Sequence, residues 1–181
     1  MGLSTNVRSA VLAASAALVA AIQPAAAQIT FGSPADPARV AVGAGAFDIT
    51  PGRGNNSKTA GEWRGEYRFR DTLGPVAPFI GGSATSDGAF YGYFGFGMDI
   101  NFGPNWVLTP NAAFGGFERG TGTNLGSVAE FRTGVELAYR FADLSRLGVA
   151  AHHTSNAGIG KRNPGEQSIL VMYSVPFRWA P

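Results

Sequence analysis

The 181-residue chain has no cysteine, few charges (14% of residues) and only two histidines. The missing cysteine excludes both a disulfide framework and a thiol nucleophile. The two histidines, His152 and His153, are adjacent, so on a strand they point to opposite faces and cannot hold one metal ion. Neither a metal nor a cofactor is therefore expected. A formal net charge of +2 supplies no basic field, which argues against a nucleic-acid partner. No glycine-rich phosphate loop leads into a helical pattern, and Gly81-Gly82 and Gly115-Gly116 read as strand bends or close-packing positions. What the chain does have is 26 Gly, 13 Phe, 5 Tyr and 3 Trp within a 45% hydrophobic composition. That is too apolar for disorder, and the length suits one domain.

Residues 1–27 read as a secretory signal peptide, with Arg8, an apolar run over residues 10–22, Pro24 and then Ala25-Ala26-Ala27. The run falls short of the ~20 residues a spanning helix needs, which weighs against the alternative of an N-terminal anchor. Cleavage is predicted after Ala27, leaving one domain over residues 28–181. That domain has no second long apolar run, so it can enter a membrane only as a closed barrel, because open sheets leave backbone groups unpaired in lipid.

From residue 39 onward the hydrophobic period is two, the signature of strands with unlike faces. Glu62, Arg64, Glu66, Arg68 and Arg70 alternate with Trp63, Tyr67 and Phe69, and Glu130, Arg132, Glu136 and Arg140 alternate with Phe131, Val135, Leu137, Tyr139 and Phe141. The same pattern predicts eight strands, near residues 38–48, 60–70, 75–85, 89–101, 105–117, 127–142, 145–155 and 167–177. Long connections (49–59, 118–126, 156–166) alternate with tight ones (71–74, 102–104, 142–144), as in outer-membrane barrels. The short connection at residues 86–88 fits this alternation less well. A soluble barrel has the same period with its faces exchanged, so the lining must decide. Much of the polar face is small (Ala41, Gly43, Gly45, Gly81, Ser83, Gly95, Gly97), which suits a narrow interior in which Arg and Glu pair. Trp63, Phe90, Trp106, Tyr139 and Phe177 are among the aromatics available for interfacial girdles. The expected fold is an all-β, eight-stranded antiparallel transmembrane β-barrel in the cell outer membrane.

The candidate chemistry lies on the seventh strand, residues 145–155. Parity puts Leu147, Val149, Ala151, His153 and Ser155 on the apolar face and turns His152 and Thr154 inward. Ionisable groups facing lipid are costly and mark function by default. Residues i and i+2 of a strand lie roughly 7 Å apart on one face, close enough for an imidazole to take a proton from a serine hydroxyl as its oxygen attacks an ester carbonyl. A periplasmic N-terminus places Ser155 at the outer end of its strand, facing outer-leaflet lipid.

His153-Thr154-Ser155-Asn156-Ala157-Gly158, with Asn163-Pro164-Gly165 and a strand ending Tyr173-Ser174-Val175-Pro176-Phe177, resembles the outer-membrane lipid A 3-O-deacylase (PagL-type) family. The resemblance implies an eight-stranded barrel that hydrolyses the ester-linked 3-hydroxyacyl chain at position 3 of lipid A. In that role Ser155 is the nucleophile and His153 the base, while Asn156, Gly158 and Asn163 form the oxyanion-stabilising loop. The family's acid lies twelve residues after the serine, where this chain has Gln167. Glu166 is expected to serve instead through a one-residue shift of the loop, the alternative being Gln167 as a neutral acceptor in a weakened or degenerate site. Lys161 and Arg162 are either a solvated loop or contacts to lipopolysaccharide phosphates. The implied partners are lipopolysaccharide and outer-membrane lipid, with a homodimer left open. Two other readings are a structural or adhesive barrel of the same architecture, and a soluble periplasmic lipid-binding barrel.

Overall fold

The computed structural model describes residues 28–32, 36–52, 57–70 and 73–177. The expected signal peptide and the four residues after Phe177 lie outside these. Among the described residues ten strands form, namely β1 (Ile29–Phe31), β2 (Ala38–Phe47), β3 (Ala60–Arg68), β4 (Val76–Thr85), β5 (Phe90–Met98), β6 (Ile100–Phe102), β7 (Trp106–Glu118), β8 (Ala129–Arg140), β9 (Arg146–Ser155) and β10 (Glu166–Phe177). The eight long strands follow the expected meander. Every neighbouring pair is antiparallel, and β10 pairs with β2 to close the barrel. Closure leaves no edge strand in the wall, and among the described residues no helix is long and apolar enough to cross a membrane.

The expected fourth strand is divided at Asp99 into β5 and β6, a difference from the sequence reading. Here β4 has ended, with Val76 opposite Met98, and β6 pairs instead with the short β1, Ile29 opposite Phe102. The Gly32 N–H donates to the Asp99 carbonyl at 2.7 Å, so the chain entering the barrel caps this end. A three-residue strand carries no readable period, which is why β1 leaves no trace in the hydrophobic pattern.

The two faces have the polarity of a membrane barrel. Val40, Val42, Ile80, Phe94, Leu137, Val149 and Val171 point outward and are exposed, while Glu62, Arg64, Glu66, Arg132 and Glu136 are buried in the lumen. Aromatic pairs band the outer wall. Trp106 meets Tyr139 (5.5 Å) and Tyr67 meets Phe177 (5.8 Å) near the short-turn end, and Phe114 meets Phe131 (5.0 Å) near the long-loop end.

Inside, most of the charges pair, buried Glu130 being an acid with no ion-pair partner among the described residues. Arg68 bridges Glu66 (2.9 Å) and Glu136 (2.6 Å), and Arg132 reaches Glu66 (3.0 Å) while lying over the Tyr93 ring at 4.0 Å. Arg64 binds Glu62 at 2.6 Å and His152 Nδ1 at 2.9 Å. At the short-turn end Asp36 gathers Arg39, Arg140 and Arg146, and Arg146 also reaches Asp99 at 2.7 Å. Arg70, read from parity as part of this lining, lies beyond β3 and is exposed. Removing one partner of such a buried pair strands the other charge, a cost of about 3–5 kcal/mol. The network therefore stiffens the wall that carries the outer site.

Candidate active site

β9 presents His153 and Ser155 outward at its long-loop end, with His152 and Thr154 buried on the lumenal side. Cross-strand register supplies the neighbours. His153 lies opposite Thr133 of β8 and opposite Gln167 of β10, and Ser155 lies opposite Phe131. Four outward side chains, Thr133, His153, Ser155 and Gln167, are thus contiguous across three strands. Among the described residues of the eight long strands, these are the outward positions with hydrogen-bonding side chains, apart from Tyr, Trp and the terminal Glu118 of β7. A wall that is otherwise apolar has its polar groups in one place.

The residue beside His153 is Gln167, not Glu166. The Gln167 amide nitrogen is 3.1 Å from His153 Nδ1, and its carbonyl oxygen accepts from the Thr50 hydroxyl. Glu166, expected to back the histidine, faces the lumen and is 1% exposed. It pairs across the sheet with Thr154, accepts that residue's hydroxyl, and receives the Asp48 N–H at 3.3 Å. The reason is register. Outward Ile169, Val171 and Tyr173 fix the parity of β10, and a one-residue slip would send all of them into the lumen. Gln167 also accepts the Ile49 N–H on its backbone carbonyl at 2.9 Å, so the first residues of the loop after β2 are tied to both faces of β10.

A glutamine differs from a carboxylate in offering two unlike ends. The carbonyl end accepts Nδ1–H and leaves Nε2 free to take a proton, whereas the NH2 end donates to Nδ1 and leaves the proton on Nε2. The Thr50 hydroxyl both donates and accepts, so it can satisfy the far end of the amide in either orientation.

The loop between β9 and β10 is organised by Asn156, which is fully buried. Its Nδ2 donates to the carbonyls of Leu125 (2.9 Å) and Arg162 (2.6 Å), and its Oδ1 accepts the Gly158 N–H at 2.9 Å. The side chains of Asn156 and the N–H of Gly158, both expected to stabilise an oxyanion, are therefore committed to holding the loop. Asn163 differs. Its Oδ1 accepts the Asn156 N–H at 3.1 Å, while its Nδ2 has no acceptor among the described residues and the residue is exposed. Lys161 and Arg162 are exposed on the same loop.

Gly165, part of the Asn163-Pro164-Gly165 motif but given no role by sequence, touches the site. Its φ is +66°, and a Cβ there would lie 2.7 Å from His153 Cε1. The imidazole rests against bare backbone that a side chain would occupy. Thr50 and Thr133 were invisible to sequence, since neither lies in a motif and each is brought to the site by pairing between distant segments.

Known proteins resemble this chain in sequence and in fold. The family model described as lipid A 3-O-deacylase (PagL) matches residues 54–176. The lipid A deacylase PagL of Pseudomonas aeruginosa is 38% identical over 65 residues, 36% of this chain and 37% of that protein, so the chain spans little over a third of the curated relative it matches. The crystal structure of the outer membrane enzyme PagL superposes with a TM-score of 0.64 at 19% identity, covering 77% of this chain and 99% of the other. A de novo designed transmembrane β-barrel superposes at 0.53 with 12% identity, covering 77% and 93%.

Proposed function

This chain belongs to the lipid A 3-O-deacylase (PagL) family, and on that premise we propose that it is an outer-membrane esterase that removes the ester-linked 3-hydroxyacyl chain at position 3 of lipid A. The observation that carries this reading is the confinement of outward polar side chains to Thr133, His153, Ser155 and Gln167, at the end of the wall where an outer-leaflet ester would lie. An adhesive barrel has no use for a histidine and a serine facing lipid below its loops. A soluble lipid-binding barrel would carry its apolar face inside.

Ser155 Oγ attacks the ester carbonyl as His153 takes its proton, forming a tetrahedral oxyanion. Asn163 Nδ2 is the uncommitted donor for that charge. Collapse expels the sugar oxygen, which leaves with the proton from His153, and water then releases the fatty acid by the same steps in reverse order. Gln167 orients the imidazole as base once its amide is turned over, so that the carbonyl, in place of the nitrogen that stands 3.1 Å from Nδ1, accepts Nδ1–H and the NH2 faces the Thr50 hydroxyl. Being neutral, it steadies the imidazolium less than a carboxylate, which implies slow turnover. Glu166 is assigned no part in the chemistry. Lys161 and Arg162 stand where the anionic phosphates of lipopolysaccharide would pass.

The test is a mass spectrum of lipid A from a Gram-negative host expressing the wild-type chain, beside one expressing Ser155→Ala at equal membrane abundance. Loss of one hydroxyacyl chain in the wild type alone is the expected result. Identical spectra would return the protein to the structural or adhesive reading.

A further inference from the structure

We propose that Thr133 is a specificity residue that hydrogen-bonds a hydroxyl on the β-carbon of the scissile acyl chain. The inference rests on the esterase reading above and adds a residue which that reading leaves unused.

Thr133 is an exposed hydroxyl in the middle of an apolar outer wall, and it has no hydrogen-bond partner among the described residues. Along its own strand the outward neighbours are Phe131, Val135, Leu137 and Tyr139. A valine would fit the same β-branched shape and suit lipid better, because a hydroxyl loses its water bonds there without compensation. A hydroxyl kept at such a place is explained by a polar partner that arrives with the substrate.

Position identifies that partner. Thr133 lies directly opposite His153, one outward position further from the long-loop end than Phe131 and Ser155. The ester carbonyl must sit at Ser155 Oγ, with the sugar toward the loops and the acyl chain running down the wall toward the bilayer centre. Thr133 is therefore on the acyl side of the ester, diagonal to Ser155, where Cα atoms are about 7–8 Å apart. A plain fatty acyl chain carries no polar atom on that side. A substituent on the β-carbon, two bonds from the carbonyl carbon, is the nearest hydroxyl a fatty ester can offer, and two hydroxyls meet at about 2.8 Å. Phe131 above and Val135 below make the surroundings apolar, and a site built to bond a hydroxyl is left unpaired by the analogue lacking it, which sharpens discrimination.

The experiment has two arms, both on the full barrel in detergent micelles. In the first, kcat/KM is measured for p-nitrophenyl 3-hydroxydecanoate and p-nitrophenyl decanoate with wild type, Thr133→Val and Thr133→Ser. Wild type is expected to favour the hydroxylated ester by about 10-fold. Thr133→Val should bring the ratio near one by losing rate on that ester alone, and Thr133→Ser should retain the preference. In the second arm, methyl 3-hydroxydecanoate and methyl decanoate are titrated into Ser155→Ala, with the Thr133 methyl resonance as the reporter. Tighter binding of the hydroxylated ester, abolished by adding Thr133→Val and monitored then at the introduced valine methyls, supports the assignment. Equal binding of the two esters, or a ratio unchanged in Thr133→Val, overturns it. If wild type cleaves neither ester, the esterase reading fails while the titration still decides what Thr133 binds.

Discussion

Gln167 lies directly across the β9–β10 pair from His153, with its amide nitrogen 3.1 Å from the imidazole Nδ1. A neutral side chain thus stands where a serine-type hydrolase commonly holds a carboxylate. The exchange has a measurable consequence.

Gln167→Glu should raise kcat. A carboxylate only accepts, so it holds the proton on Nδ1 and stabilises the imidazolium that the proposed deprotonation of Ser155 would form. Replacing the acid of a triad by its amide costs up to ~10⁴ in kcat elsewhere, so a gain of at least about 10-fold is expected here. Steady-state hydrolysis of a chromogenic ester by the purified barrel checks it. No gain would remove residue 167 from the catalytic relay.

Glu166→Ala should act on stability instead. The lumenal carboxylate binds the Asp48 N–H and the Thr154 hydroxyl, and its loss leaves both donors buried without their partner. The expected cost is about 1–3 kcal/mol, read as a lower unfolding midpoint in urea. The residual kcat of the folded fraction should stay within about threefold, as a group outside the chemistry predicts.

Asn163→Ala and Asn156→Ala should fail differently. Loss of the free Nδ2 at residue 163 should lower kcat by about 10²–10³ with KM little changed, the behaviour of an oxyanion donor. Loss of Asn156 releases the carbonyls of Leu125 and Arg162 and the Gly158 N–H together. The loop should then become cleavable by protease added to intact cells, with the barrel itself resistant.

Gly165→Ala should leave the barrel assembled but displace His153. The substitution places a methyl against Cε1 and forces a left-handed φ on a residue with a side chain, at a cost of about 1–3 kcal/mol. A shift of the imidazole by about 1 Å is enough to lower kcat by ~10². The ester assay should show this loss while the heat-modifiable band shift on electrophoresis is retained.

The strand map was legible from residues alone because alternation is a local property. Trp63, Tyr67, Val149 and Val171 announce an outer face whatever they pair with, and Glu62, Arg64 and Glu66 announce an inner one. Each of the eight long strands lies within a few residues of its expected limits, and most of the charges on the inner face pair as expected, Glu130 being buried without an ion-pair partner among the described residues and Arg70 lying outside the lining. The short β1 was not legible, because three residues show no period. Glu166 was misplaced for a related reason. The loop before β10 has no alternation, so the length of the segment allowed a shift that the outward Ile169 and Val171 forbid once β10 is paired on both sides.

Amphipathic periodicity thus decided on its own that this chain makes strands with two unlike faces and that His153 and Ser155 share the apolar one, since parity needs no partner strand, and the small and charged residues of the other face marked it as a narrow lumen. Which side chains stand beside them was settled only when the sheet closed. Thr133 and Gln167 are 34 residues apart in sequence yet flank one imidazole, and Thr50 joins them across the β2–β10 seam. Such neighbours are set by cross-strand register, a relation between distant segments that no local pattern encodes.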